Sequence, residues 1–223
     1  MTPRILAIDT TTEFGSLALV WGGAVAWDIP LHSSEGFGHI LFDRIALLFE
    51  SAGWKLHQID CFAAAAGPGS FTGVRVGLAA VKGLAEALGR PAVSVSNLEA
   101  IAWHGTAPLR AAIADARRGQ IYGAVYDSKL SLVSPEVVAA FPEWLAALPA
   151  GELQLLSTDC AAFRPALTGT RFEKDGLCEV PRALAGAIGR IAEERFLAGL
   201  AADPAALDAS YVRRSDAELF WRE

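Results

Sequence analysis

Three stretches of this 223-residue chain combine residue types that could act on a ligand. The first is Gly67-Pro68-Gly69-Ser70-Phe71-Thr72-Gly73, whose glycines would let backbone N–H groups approach an anion at the start of the helix that follows. It lacks the Lys-Ser/Thr pair of a Walker A loop, so its expected role is a structural turn that sets up that helix. The other two form a pair: Asp9 followed by Thr10-Thr11-Thr12, and Asp115 followed by Ala116-Arg117-Arg118-Gly119, each closing one apolar run and opening another. Turns of this kind arise from ordinary Asx and ST chemistry as well as from ligand binding. His39 and Asp43 stand one helical turn apart, but no second histidine completes an HxxxH pair, and no metal is expected. Cys61, Cys160 and Cys178 are odd in number and lack any CxxC pair, which argues against a disulfide framework or a zinc site. HxxH and GxSxG are absent, so no catalytic residue is assigned.

Elements must position these groups. Arg4 to Thr10 reads as a strand ending in Asp9, Ser16 to Trp21 as a second, Gly22-Gly23 as a primed hairpin turn and Ala24 to Ile29 as a third strand. Cys61 to Ala66 is uncharged and apolar, the pattern of a buried strand in a mixed or parallel sheet. After the glycine turn, Val74, Leu78, Val81, Leu84 and Leu88 recur at helical spacing, with Thr72 as the expected cap and Gly89 and Pro91 as the stop. Gly73, Gly77, Ala80, Gly83 and Ala87 form a second stripe with almost no side chain. Each interior glycine costs roughly 0.5–1 kcal/mol against alanine, so the stripe implies a closely packed neighbour. In the helix Ile40 to Ala52, Leu41, Phe42, Ile45, Ala46, Leu48, Phe49 and Ala52 cover an arc of roughly 160°, whereas one buried side needs only about 100°. Ile40 and Leu47 lie outside even that arc, and the excess predicts a protein partner.

Farther on, Ser96 with Glu99 is a capping-box pattern opening a helix through Trp103. Leu109 to Asp115 and Gln120 to Tyr126 then repeat the strand, acid, turn, strand unit of the start, which predicts a duplicated α/β architecture of two lobes, 1–105 and 106–223. Glu136 to Leu148, broken by Pro142, reads as two short helices, Leu153 to Ser157 as a strand, and Arg182 to Leu200 as a long helix burying Leu184, Ile188, Ile191 and Phe196. The tail 209–223 mixes aromatics with both charge signs and reads as a segment docking back on the fold.

Hydrophobic residues at 52% and charged ones at 20% suffice for a full core. A net charge of −6 and a pI near 5.3 exclude strong nucleic-acid binding by this chain alone, so any RNA contact would need a partner's charge. No uncharged apolar run reaches the roughly 18 residues of a membrane span, and Met1 to Asp9 has no signal-peptide pattern, so a cytoplasmic protein without membrane attachment is expected.

The blocks ILAIDTTTEFGSLAL (5–19), GHILFDRI (38–45), GPGSFTGVRVGLAAVKGLA (67–85), VSNLEAIA (95–102), IADARRGQIYGAVY (113–126) and YVRRSDAE (211–218) resemble the TsaB (YeaZ) family. These are the dimerisation subunits of the bacterial tRNA threonylcarbamoyladenosine (t6A) machinery, of the actin-like ATPase superfamily. The resemblance implies a two-lobed actin-like, ribonuclease H-like fold, each lobe opening with antiparallel strands of a mixed sheet flanked by helices. It implies a non-catalytic subunit that binds and activates the paralogue TsaD, is joined by the ATPase TsaE, and forms a homodimer when alone. The assembly places a threonylcarbamoyl group on N6 of adenosine 37 in tRNAs reading codons that start with A, and tRNA meets this chain only through the complex. The implied interface lies on Ile40, Leu41, Ile45, Leu48, Phe71, Gly73, Val76, Gly77, Ala80 and Gly83. Compared with active actin-like ATPases, the first acid turn has no glycine until Gly15, the second carries Arg117-Arg118 where glycines would be expected, and the helix matching the catalytic paralogue's HxxxH helix keeps only His39. The implied nucleotide site is therefore degenerate, with Asp9, Thr11 and Asp115 as its candidates, weak ATP or ADP binding at most and no required cofactor. A stand-alone peptidase or ATPase is the alternative. Arg117, Arg213 and Arg214 have no assigned contact.

Overall fold

The computed structural model describes residues 2–174, 176–210 and 212. In chain order its elements are β1 (Arg4–Asp9), β2 (Phe14–Trp21), β3 (Ala24–His32), α1 (Leu41–Ala52), β4 (Cys61–Ala65), α2 (Phe71–Leu88), β5 (Ala92–Val95), α3 (Asn97–Trp103), β6 (Leu109–Asp115), β7 (Gln120–Asp127), β8 (Leu132–Ala140), α4 (Phe141–Ala146), β9 (Leu153–Ser157), β10 (Leu177–Glu179) and α5 (Ala185–Leu197). The described residues divide into two units, one made of 2–100 with 182–210 and the other built from 101–181.

The sheet of the first unit has the order β3-β2-β1-β4-β5, antiparallel across β3, β2 and β1 and parallel across β1, β4 and β5. Its central strands are apolar on both faces, because pairs such as Ile5↔Val20 and Ala7↔Ala18 alternate with Leu6↔Leu19 and Ile8↔Leu17. One face carries α1 and α2, whose Leu41, Ile45, Leu48, Val74, Leu78 and Val81 join Leu6, Ile8, Leu17, Leu19 and Phe62 in one core. The other face needs a second cover, and α5 supplies it. A Cβ on Gly189 would stand 2.6 Å from Val20 Cγ2 and 3.3 Å from Ala7 Cβ, so glycine there lets the helix lie against the strands.

The expected split into consecutive lobes at residue 105 is therefore corrected, because 182–210 returns to the first unit. The physical reason is the two-sided apolarity of that sheet. The return is anchored by Arg195, which donates to both carboxylate oxygens of Glu99 at 2.6 and 2.8 Å and to the Ser94 carbonyl at 3.0 Å. Glu99 thus pairs with α5, and at the start of α3 the Ser96 Oγ accepts from the Leu98 N–H at 3.1 Å. The cap of α2 is Ser70, which accepts from the Gly73 N–H, in place of the expected Thr72.

The second unit repeats the topology, with the order β10-β9-β6-β7-β8 and the same parallel and antiparallel relations. The helix expected from Glu136 is instead the latter half of β8, which pairs with β7 through Tyr122↔Val138 and Ile121↔Ala139. Two β-branched residues, Val137 and Val138, beside an available strand outweigh the local helical pattern. Helix begins only at Phe141, with Pro142 in its first turn, where a missing N–H is harmless. β10, only three residues long, has no counterpart in the sequence reading. Most of the tail expected to dock, including Arg213 and Arg214, lies outside the described residues.

Candidate functional site

The turn after β1 is closed on itself. Asp9 is 1% exposed, and its Oδ1 accepts from the Thr11 N–H at 2.9 Å and the Thr11 hydroxyl at 2.6 Å. Thr11 Oγ1 in turn accepts from Asn97 Nδ2 at 2.7 Å, and Asn97 holds the glycine turn by exchanging hydrogen bonds with the Gly67 N–H and C=O at 3.0 and 2.7 Å. Ser70 N–H donates to the Thr11 carbonyl at 2.7 Å, and the Thr10 hydroxyl donates to the Gly73 carbonyl at 2.7 Å. The 67–73 turn and the start of α2 therefore lie directly on the acid turn. A Cβ on Gly69 would stand 2.6 Å from the Thr11 oxygen, one on Gly73 would collide with the Thr10 carbonyl, and one on Gly77 would stand 2.7 Å from Thr10 Oγ1. For Gly73 and Gly77 the closely packed neighbour that the small-residue stripe implied is therefore the chain's own Thr10 turn. Burial raises the pKa of Asp9, against the lowering effect of its bonds to Thr11 and Asn97. A carboxyl group sealed in this way is a structural hub.

The turn after β6 is open. Asp115 is exposed; its Oδ1 accepts from the Arg117 N–H at 2.7 Å, and the Arg117 guanidinium lies 3.8 Å from Oδ2. Arg117 and Arg118 both adopt left-handed backbone, at φ 64° and 56°, ahead of Gly119 at 75°. That conformation costs an L-residue roughly 1–2 kcal/mol, and it puts two long side chains where glycines would leave the amides accessible. Of the three nucleotide-site candidates, Asp9 and Thr11 sit in the first unit and Asp115 in the second.

The proposed interface residues separate by burial. Leu41, Ile45, Leu48, Gly77 and Ala80 are buried in the first unit's own core, and Ile40, Gly73 and Val76 are partly buried, so the sheet covers more of both helices than the wheel implied. Phe71, 44% exposed, and Gly83 remain outside. The exposed apolar residues of α1 are Phe42, Ala46 and Leu47, with Phe42 58% exposed, beside the exposed charges of Asp43, Arg44 and Glu50. On α2 the outward stripe runs at intervals of four through Phe71, Arg75, Ala79, Gly83 and Ala87, and the Arg75 guanidinium lies 3.8 Å over the Phe71 ring. A Cβ on Gly83 would meet nothing within 4 Å. Phe42 and Leu47 were absent from the expected interface; their signal was their place on the wheel, Leu47 beyond the edge of the apolar arc.

Burial raises the Cys61 thiol to about 12 and the Cys160 thiol to about 11, so both are protonated and inert at neutral pH. Among the described residues no three His, Cys, Asp or Glu side chains form a metal-holding group, and His39 and Asp43 point to solvent. No described helix is long and apolar enough to cross a membrane.

Residues 28–172 match the family model described as TsaD, tRNA N6-adenosine threonylcarbamoyltransferase. The chain is 41% identical over 128 residues to the tRNA threonylcarbamoyladenosine biosynthesis protein TsaB of Escherichia coli, a match covering 55% of this chain and 54% of that protein. It is 32% identical over 146 residues to TsaB of Bacillus subtilis, covering 63% and 64%. The chain thus spans between about half and just under two thirds of these curated relatives. The solved structure of YeaZ from Pseudomonas aeruginosa superposes with a TM-score of 0.80 at 25% identity, over 94% of this chain and 99% of that one. Two mixed five-stranded sheets of matching order, each opening with an acid-ended hairpin, form the two-lobed actin-like, ribonuclease H-like fold. The chain belongs to the TsaD family, alongside its TsaB (YeaZ) members.

Proposed function

We propose that this chain is a non-catalytic partner subunit in t6A formation, docking the outward face of α1 and α2 onto a catalytic TsaD protein and supporting its activity, with TsaE as a further component. The observation that carries the reading is the contrast between the two candidate sites: the acid of the first turn is sealed, while Phe42, Leu47 and the Ala79-Gly83-Ala87 stripe stand in solvent. Small residues at intervals of four let a second helix approach closely, and large apolar groups beside them supply area to bury. The names of the curated relatives and the description of the family model support assignment to tRNA modification. With no partner the same face would pair two copies of the chain, since a two-fold contact uses one patch twice.

The test is co-purification with a TsaD protein. The parent chain is expected to form a complex that Gly83→Leu or the double change Phe42→Asp and Leu47→Asp abolishes, because these alter only exposed positions. Retention of TsaD by both variants at parental affinity would refute the interface. Turnover of ATP or peptide by the purified chain, lost on Asp9→Ala, would refute the non-catalytic assignment.

A further inference from the structure

At the opposite end of the first sheet from Asp9, a cavity of about 290 Å³ is lined by Thr2, Arg4, Trp21, His57, Gln58, Asp60 and Arg90. The topology gathers these side chains. Arg4 opens β1, Asp60 and Arg90 precede the parallel strands β4 and β5, and Trp21 closes β2 opposite Arg4 in the antiparallel register. Asp60 has backbone work, since its Oδ2 accepts from the Arg4 N–H at 2.9 Å and its own N–H donates to the Arg4 carbonyl at 2.9 Å. Its other oxygen lies 3.8 Å from Arg90 Nη1, an ion pair too long to be a hydrogen bond. The Arg4 guanidinium rests 4.7 Å over the Trp54 ring, and Trp54 meets Trp21 edge to face at 6.5 Å. Among the described residues neither guanidinium donates a side-chain hydrogen bond, and the His57 ring makes none. Two guanidiniums and one carboxylate leave this cavity cationic within a chain of net charge −6.

We propose that this cavity binds a phosphate monoester carried on a flat aromatic group, of the nucleoside monophosphate class. Guanidinium forks with vacant donors match phosphate oxygens in number and spacing. Trp21, 49% exposed at the rim, offers an indole face for a base to stack on. The cavity sits at the low end of the roughly 300–1,000 Å³ range of small-molecule sites, which suits a mononucleotide. The site lies away from the helical face and from the Asp9 turn, so it is independent of the assembly reading.

The experiment follows the Trp21 and Trp54 indole N–H resonances of the isolated chain during titration with inorganic phosphate and with adenosine 5′-monophosphate, ionic strength held constant with sodium chloride. Adenosine monophosphate is expected to shift the Trp21 signal saturably in the millimolar range or below, more tightly than phosphate, and Arg90→Ala is expected to weaken it at least tenfold. His57→Ala, at an exposed position, is expected to weaken binding without touching the fold, and Arg90→Lys to restore part of it. Phosphate binding as tightly as the nucleotide would overturn the aromatic half of the proposal. No saturable shift with either ligand, or equal shifts in the parent and in folded Arg90→Ala and His57→Ala, would overturn it entirely.

Discussion

Asp9 shows what a single buried acid does to stability. Asparagine at this position keeps an oxygen to accept from Thr11 and removes the charge that burial disfavours, so Asp9→Asn is expected to hold or raise stability at neutral pH. Asp9→Ala leaves the buried Thr11 donors without an acceptor and is expected to lose about 1–3 kcal/mol in urea unfolding. The pH dependence follows from the raised pKa, since the folded chain keeps this proton to higher pH than the unfolded one. Protonation therefore stabilises the fold below the ordinary carboxylate range, and that contribution disappears as pH rises through the raised value. Urea unfolding at a series of pH values is expected to show the parent losing stability relative to Asp9→Asn across that window; a constant difference would contradict it. That Asp9 ends a strand was legible from its neighbours. Its sealing was not, because the closing group, Asn97, is 86 residues from Thr11 along the chain.

At the scale of one element, the glycines of α2 separate into two kinds. Gly73→Ala or Gly77→Ala drives a Cβ into the Thr10 turn and is expected to cost about 1–3 kcal/mol. Gly83→Ala meets open space and is expected to gain about 0.5–1 kcal/mol through helix propensity alone. Thermal melts of the three variants check both signs. On α5, Arg195→Ala removes two charge-assisted hydrogen bonds from Glu99, itself 7% exposed, and is expected to lose about 1–3 kcal/mol. The period of α2 and its C-terminal glycine were plain in the spacing. Which small face turned inward was decided by the β1 turn, a contact no local pattern contains.

For the whole molecule, the sheet edges bear on how copies can meet. Pro30 in β3 and Pro135 in β8 each remove a donor from an edge strand, β5 is bridged by Ala202, and β10 is three residues long. Such edges resist extension by another chain, so association falls to helices. Light scattering is expected to show a dimer of the isolated chain that becomes a monomer on changing Phe42 and Leu47 to aspartate, with an unchanged melting profile; a dimer that survives both changes would place the contact elsewhere.

Periodicity and turn chemistry by themselves determined the two acid-ended hairpins, the buried β4 run, the helical span of α2 and the duplication, because each depends on neighbours within about a turn or a hairpin. Tertiary structure alone decided that α5 covers the first sheet, that β8 is strand to Ala140, and that Leu41, Ile45 and Leu48 lie inside while Phe42 and Leu47 lie out. A wheel measures how much of a helix is apolar; which part meets water depends on what the remote chain lays against it.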